Sequence, residues 1–256
     1  MRVSVCELRN NSDDLARDWD ALVTHAQIER SELVLLPEMP FTPWFGVSPN
    51  YNADAWQASV DAHERWLDRL PELGSATVLG TRPVNRDGCR LNEAFAWSKE
   101  LGYRAAHHKY FLPNEEGFWE GEWYSRGDGR FVPQQCGAAC VGFQICTELW
   151  ALDQSRAYGQ LGVQIIAAPR ATPHSTLDKW VVGGRAAAVC AGAFSISSNH
   201  VSTATDAVHL GGRGWVVGPD GDVLALTSRD EPVVTVDVDL AKADEAKRTY
   251  PRYVFT

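Results

Sequence analysis

Apolar runs of strand length alternate with segments of helical period along most of the chain, a rhythm that predicts an α/β or layered α+β architecture. Val3 to Leu8 reads as a first strand. Asn10 to Asp14 then supplies a cap and first-turn acids for a helix whose apolar stripe is Leu15, Trp19, Leu22, Val23 and Ala26. Leu33 to Leu36 is a short, wholly apolar strand ended by Pro37. A helix from about Ala53 to Leu70 places Trp56, Val60, His63 and Leu67 at spacings of three or four, with His63 and Trp66 read as packing or solvated residues. Ala76 to Gly80, Asn92 to Trp97 and Arg104 to His108 are the next three strand candidates. The polar, aromatic stretch Pro113 to Arg130 reads as a long loop, a feature that tends to carry function when it lies inside a domain.

The later half repeats the rhythm. Val141 to Ile145 is a strand running straight into Cys146, followed by a helix Leu152 to Gln160, a strand Val163 to Ala168 and a helix Lys179 to Ala191. Gly214 to Leu226 then predicts a hairpin around the turn Pro219-Asp220-Gly221-Asp222. Val233 to Val238 alternates as a strand, and Lys242 to Arg248 is a short last helix before Pro251. No Pro-rich or Gly/Ser linker and no fixed-period repeat divides the chain, so residues 1–256 are expected to form a single domain.

Composition removes several function classes. The net charge of -9 and the lack of a basic run argue against nucleic acid and against an anionic membrane surface. The start Met1-Arg2-Val3-Ser4-Val5-Cys6 lacks the apolar run of a signal peptide, and no stretch is apolar for the ~18 residues of a membrane span. A cytoplasmic location is the expectation. Six dispersed cysteines do not form a disulfide scaffold, and the close pair Cys136 and Cys140 lacks the further ligands of a zinc site, so no metal or cofactor is expected.

Three predicted strands each deliver a potentially reactive side chain at their ends, Glu38, Lys109 and Cys146, and strand ends in layered sheets converge where clefts form. Taken singly, each has a plain reading: a surface acid, a solvated lysine, a buried cysteine acting as a small apolar residue. Together they make chemical sense. A thiol attacks well when a base takes its proton, and a cation stabilises both the thiolate and the oxyanion formed by attack.

The blocks Leu35-Leu36-Pro37-Glu38-Met39, His108-Lys109-Tyr110-Phe111-Leu112-Pro113 and Ile145-Cys146-Thr147-Glu148-Leu149-Trp150 resemble, in order and spacing, the three signature regions of the nitrilase superfamily. Gly214 to Ala225 resembles its late hairpin, so the resemblance spans nearly the whole chain. It implies a four-layer αββα sandwich, doubled to αββα–αββα in a homodimer, and a Cys–Glu–Lys hydrolase of carbon–nitrogen bonds. It also implies a second glutamate, seven residues before the Gly of Gly127-Asp128, a position held here by Glu120; Glu115, Glu116 and Glu122 stand close by.

True nitrilases resemble Cys-Trp-Glu at the nucleophile corner, whereas this chain has Cys146-Thr147-Glu148, which favours amide or carbamoyl hydrolysis. The arginine pair with which N-carbamoyl-D-amino-acid hydrolases grip a carboxylate is replaced by Leu149 and Trp150. Arg170 is the remaining candidate for an anion, against a structural reading. Trp44 with Phe45, Trp119 with Trp123, and Trp150 are expected to give the cleft an aromatic rim, with Thr147 beside the nucleophile. His107, His108 and His174 read as packed or solvated. The expected reaction is cleavage of a small carboxamide through a Cys146 thioester. The alternatives are a ureido hydrolase, a nitrilase, an acyl transferase, or a partner-binding member of the fold with little activity.

Overall fold

A computed structural model of the chain describes residues 1–203, 206 and 208–255. In chain order the elements are β1 (Arg2–Leu8), α1 (Ser12–Ile28), β2 (Leu33–Leu35), α2 (Ala53–Leu67), β3 (Thr77–Arg86), β4 (Cys89–Ser98), β5 (Gly102–His108) and α3 (Glu120–Trp123). There follow β6 (Gln134–Cys136), β7 (Ala139–Phe143), α4 (Leu152–Gln160), β8 (Ile165–Arg170), α5 (Leu177–Ala191), β9 (Phe194–His200), β10 (Trp215–Val217), β11 (Val223–Leu226), β12 (Val233–Asp237) and α6 (Leu240–Ala246). The predicted hairpin is β10 and β11, paired antiparallel.

The strands form two halves of one continuous sheet. In the first, β12, β1, β2, β3, β4 and β5 are neighbours in that order; in the second, β11, β10, β9, β8, β7 and β6. They join where β1 pairs with β9 in parallel, Glu7 opposite Asn199 and Leu8 opposite His200. Helices α1 and α2 pack on the first half and α5 on the second, with α4 against α5, which gives the expected αββα layering.

The period of the strands explains the layers. Successive strand residues point to opposite faces, so a wholly apolar strand feeds two cores at once. Leu33 and Leu35 join Val3, Val5 and Leu79 against Val141, Phe143, Ile165 and Ile196 between the sheets. Val34 and Leu36 instead join Leu15, Trp19 and Leu22, the stripe of α1. Asn11 caps that helix, its side chain accepting the Asp14 N–H.

Several boundaries differ from the sequence reading. The long loop contains the single turn α3, which carries Glu120. Two strands were not anticipated, β6 and β9. Strand β8 begins two residues later and runs through Arg170, which puts that arginine inside the sheet rather than beyond it.

Candidate active site

The C-terminal ends of β2, β5 and β7 point their following residues to one place. Glu38 is reached two residues after Leu36, and its N–H donates to the Arg170 carbonyl at 3.2 Å. The next residue, Met39, has φ 45°, with its N–H held by Thr81 Oγ1 at 2.8 Å. Cys146 has φ 49° and opens a short 3-10 turn to Trp150. A left-handed conformation at a non-glycine residue persists only where the surroundings over-determine it. Here Glu148 supplies that bracing.

The Glu148 carboxylate, fully buried, accepts the N–H of Ile145 at 2.8 Å and that of Tyr110 at 2.7 Å, fastening the nucleophile turn to the residue after Lys109. His107 Nε2 meets the same carboxylate at 2.9 Å while Nδ1 meets the Arg130 carbonyl at 3.1 Å. Both partners are acceptors, so the imidazolium satisfies both. Burial works against that charge, but Glu148 outweighs it and raises the His107 pKa above its ordinary value. Gly127 closes the other side: its N–H donates to the Lys109 carbonyl at 2.9 Å, and a Cβ there would lie 2.2 Å from the His108 carbonyl oxygen.

At the centre stands Lys109, fully buried, with Nζ 2.8 Å from Glu38 Oε1 and 2.6 Å from Glu120 Oε2. Asn92 Nδ2 also donates to Glu38 Oε1, at 2.8 Å, and the Tyr124 hydroxyl donates to Glu120 Oε2. Burial disfavours the Lys109 cation, yet Glu120, Glu38 and Cys146 together hold its pKa above the ordinary value. For Glu120, burial is the larger influence and, with Glu38 nearby, pushes the carboxyl up to about 7 against the pull of Lys109. The Cys146 thiol is 4 % exposed and also raised, first by burial and then by Glu38, with Lys109 and the Ala171 N–H opposing. The resting group is therefore a thiol. One oxygen stands apart: Glu38 Oε2 is buried and has no hydrogen-bond partner among the described residues.

A cavity of about 300 Å3 opens over Cys146 and Glu120, walled by Phe118, Trp150, Trp180, Pro113 and Pro173, with Thr147 and Ala171 beside the sulfur. A larger hollow of about 580 Å3, bounded by Glu7, His174, Arg213 and Arg229, includes none of the four central residues.

The structure thus brings Glu38, Lys109, Glu120 and Cys146 together and sets Thr147 and Trp150 on the cavity wall. Three expected substrate contacts lie elsewhere. Arg170 is fully buried and spent internally, on Ser197 Oγ at 2.7 Å, Thr172 Oγ1 at 2.6 Å and the Arg213 carbonyl at 2.8 Å, with its guanidinium 4.1 Å from the Trp215 ring centre. Trp44 donates to the Gly117 carbonyl and packs on Ala171 and Leu210; Trp119 packs on the cluster of Met39, Trp56 and Trp123. Both support loops behind the wall. Phe118 and Trp180 take the places expected of them, each one position or one helix away from a residue that the sequence reading named. Of the other histidines, His63 is fully buried among aromatics, with burial pushing it down to about 3, and His108 pairs with Glu93 at 2.9 Å. His200, unnoticed in the sequence, donates from Nε2 to the Glu38 carbonyl at 2.7 Å. Among the described residues no cluster of ligands suited to a metal ion occurs, and no helix is long and apolar enough to cross a membrane.

A family profile described as carbon–nitrogen hydrolase matches residues 2–248. An omega-amidase of Bos taurus is 25% identical over 250 residues, covering 94% of this chain and 88% of that protein. An (R)-stereoselective amidase of Pseudomonas sp is 26% identical over 263 residues, covering 98% and 89%. Among solved structures, a carbon–nitrogen hydrolase from Helicobacter pylori G27 superposes with a TM-score of 0.88 at 19% identity, covering 100% of this chain and 95% of that one. An amidase from Nesterenkonia sp. AN1, a mutant carrying acrylamide on its active-site cysteine, gives 0.77 at 19% identity, covering 96% of each chain.

Proposed function

This chain belongs to the carbon–nitrogen hydrolase family, and from that premise we propose that it is an amidase which opens the C–N bond of a small carboxamide through a thioester on Cys146. The observation that carries the reading is Oε2 of Glu38, a buried carboxylate oxygen with no hydrogen-bond partner among the described residues, in one cluster with a thiol that burial and Glu38 hold protonated. Such an oxygen is a proton acceptor in waiting.

The sequence of steps follows from that. Glu38 takes the Cys146 proton as sulfur bonds to the amide carbon, and the negative charge on the carbonyl oxygen is met by Lys109 and by backbone N–H at the Cys146 turn. The protonated Glu38 hands its proton to nitrogen as the C–N bond breaks, so ammonia leaves and an acyl thioester remains. Water then attacks that thioester while Glu38 takes one of its protons. The C–S bond breaks, the carboxylic acid leaves, and the proton on Glu38 returns to sulfur. Lys109 stays charged throughout, held by two carboxylates, and Glu120 fixes where its ammonium points. The names of the relatives, omega-amidase and (R)-stereoselective amidase, support an amide over a nitrile.

The same reading takes the chain as a homodimer. In support, Leu161 beside α4, Val182 on α5 and Phe255, whose carbonyl accepts from Gln160, are all at least half exposed on adjoining elements. Equilibrium sedimentation of the wild type and of Val182→Glu tests this, a single monomeric mass for the wild type being the contrary result. The amidase reading is tested by ammonia release across a panel of carboxamides, ureido acids and nitriles. Turnover of carboxamides that vanishes in Cys146→Ala is expected, and turnover that survives the substitution overturns it.

A further inference from the structure

The cavity over Cys146 has two charged side chains on its rim besides the buried Glu120, namely Lys179 on α5 and Glu115 on the loop before α3. Both are exposed. Among the described residues neither lies within ion-pair distance of an opposite charge. Lys179 is the one cation among the described residues on the wall of this space, Lys109 being buried between Glu38 and Glu120 and the Arg170 guanidinium being bonded to Ser197, Thr172 and the Arg213 carbonyl. The remaining lining is uncharged and includes Phe118, Trp150, Trp180, Pro113 and Pro173.

A cavity of about 300 Å3 stands at the lower end of the range for small-molecule sites, about 300–1,000 Å3, so its occupant is short and its far end must meet the rim. Unpaired charges at the mouth of an apolar slot gain strength when a ligand displaces the water between them. A neutral tail would gain nothing from either charge. A purely anionic tail would pair with Lys179 and be opposed by Glu115, and a purely cationic one would do the reverse.

We infer that the substrate is a carboxamide whose tail carries an ammonium and a carboxylate together, as in the side-chain amide of an amino acid, with the carboxylate at Lys179 and the ammonium at Glu115. This rests on the amidase reading and adds to it the class of acyl group. The reacting amide lies at Cys146 between Phe118 and Trp150, and the amino-acid head spans the two sides of the mouth. Lys179 and Glu115 set specificity and take no part in bond breaking.

Four amides of matched length separate the contributions: glutamine, which has both charges; 5-amino-5-oxopentanoate, which lacks the ammonium; 4-aminobutanamide, which lacks the carboxylate; and butanamide, which lacks both. The wild type is expected to show the highest kcat/KM on glutamine, at least tenfold above butanamide, expressed mainly in KM. Lys179→Gln should remove most of the advantage of the two carboxylate-bearing amides, and Glu115→Gln that of the two ammonium-bearing ones. A wild type that acylates Cys146 with all four at similar kcat/KM overturns the tail assignment and leaves the amidase reading intact, as does a glutamine preference unchanged by both substitutions. Failure of all four to acylate Cys146 or release ammonia, in a protein with intact circular dichroism, overturns both.

Discussion

Glu38 and Glu93 are both fully buried carboxylates near the end of β5, and they differ in how their oxygens are used. Glu93, on β4, is saturated: Tyr103 donates to Oε1, and His108 and Arg86 approach Oε2 at 2.9 and 2.8 Å. Burial alone would raise its pKa, but His108, Tyr103, Arg86 and Arg82 hold the carboxyl below its ordinary value. Glu38 receives Asn92 and Lys109 on Oε1, and Oε2 has no partner among the described residues. A saturated buried carboxylate binds its partners together; one with an empty oxygen can accept a proton. Adjacent residues of one strand end, His108 and Lys109, thus serve a structural cluster and a reactive one.

The largest expected effect breaks the reactive side. Glu38→Gln and Cys146→Ala should each lower kcat about ten-thousandfold or more, because residues acting as one unit fail together, while the urea midpoint of Cys146→Ala moves little. Glu93→Leu should do the opposite. It leaves the Tyr103 hydroxyl and the His108 ring without their acceptor, so a loss of about 1–3 kcal/mol in urea unfolding is expected, with acylation of Cys146 still seen in the folded fraction.

The third effect concerns pH and has opposite signs in the two clusters. Glu93, whose folded pKa is depressed, contributes stability that is present above its unfolded value and lost as the pH falls through the folded one. Glu120 is raised from an ordinary 4.5 to about 7, so the folded state favours its proton, and stability declines as the pH rises between those values. Urea midpoints from pH 4.5 to 7 should therefore fall relative to those of Glu120→Gln. A constant difference between the two proteins across that range would remove the assignment.

The smallest effect sharpens the comparison. The Tyr124 hydroxyl supports the ionised form of Glu120, so Tyr124→Phe should raise the Glu120 pKa further. The acid limb of the kcat profile is expected to move to higher pH, with about a tenfold loss at neutral pH and KM nearly unchanged. An unmoved limb would mean that Tyr124 only packs.

Much of this was legible in the sequence because short, wholly apolar strands announce themselves and their ends carry the reactive residues. Leu33 to Leu36 and Val141 to Ile145 led directly to Glu38 and Cys146, and the turn at Pro219 to Asp222 fixed the late hairpin. Strand β9 escaped because its sequence, Phe-Ser-Ile-Ser-Ser-Asn-His, reads as polar although every residue is buried. Its side chains are satisfied by distant partners: Ser197 on the Ala168 carbonyl, Ser198 on that of Leu35, Asn199 on Thr172 and Gly212. Hydrophobic periodicity cannot see such bonds. The same limit applies to Arg170, Trp44 and Trp119, whose nearness to the motifs was right but whose direction depends on strand parity and loop packing. Phe118, Trp180 and Lys179 reach the cavity through a neighbouring loop position and a separate helix. Neither is marked in the local pattern.

The central claim is that Cys146 carries the acyl group and Glu38 moves its proton. Peptide-resolved mass spectrometry of the protein quenched during turnover of a carboxamide tests it most directly. The account predicts the mass of the acyl group on the peptide containing Cys146, absent from Glu38→Gln quenched at the same time. Ammonia release with unmodified Cys146, or an adduct carried by Cys6, Cys89, Cys136, Cys140 or Cys190 instead, would contradict it.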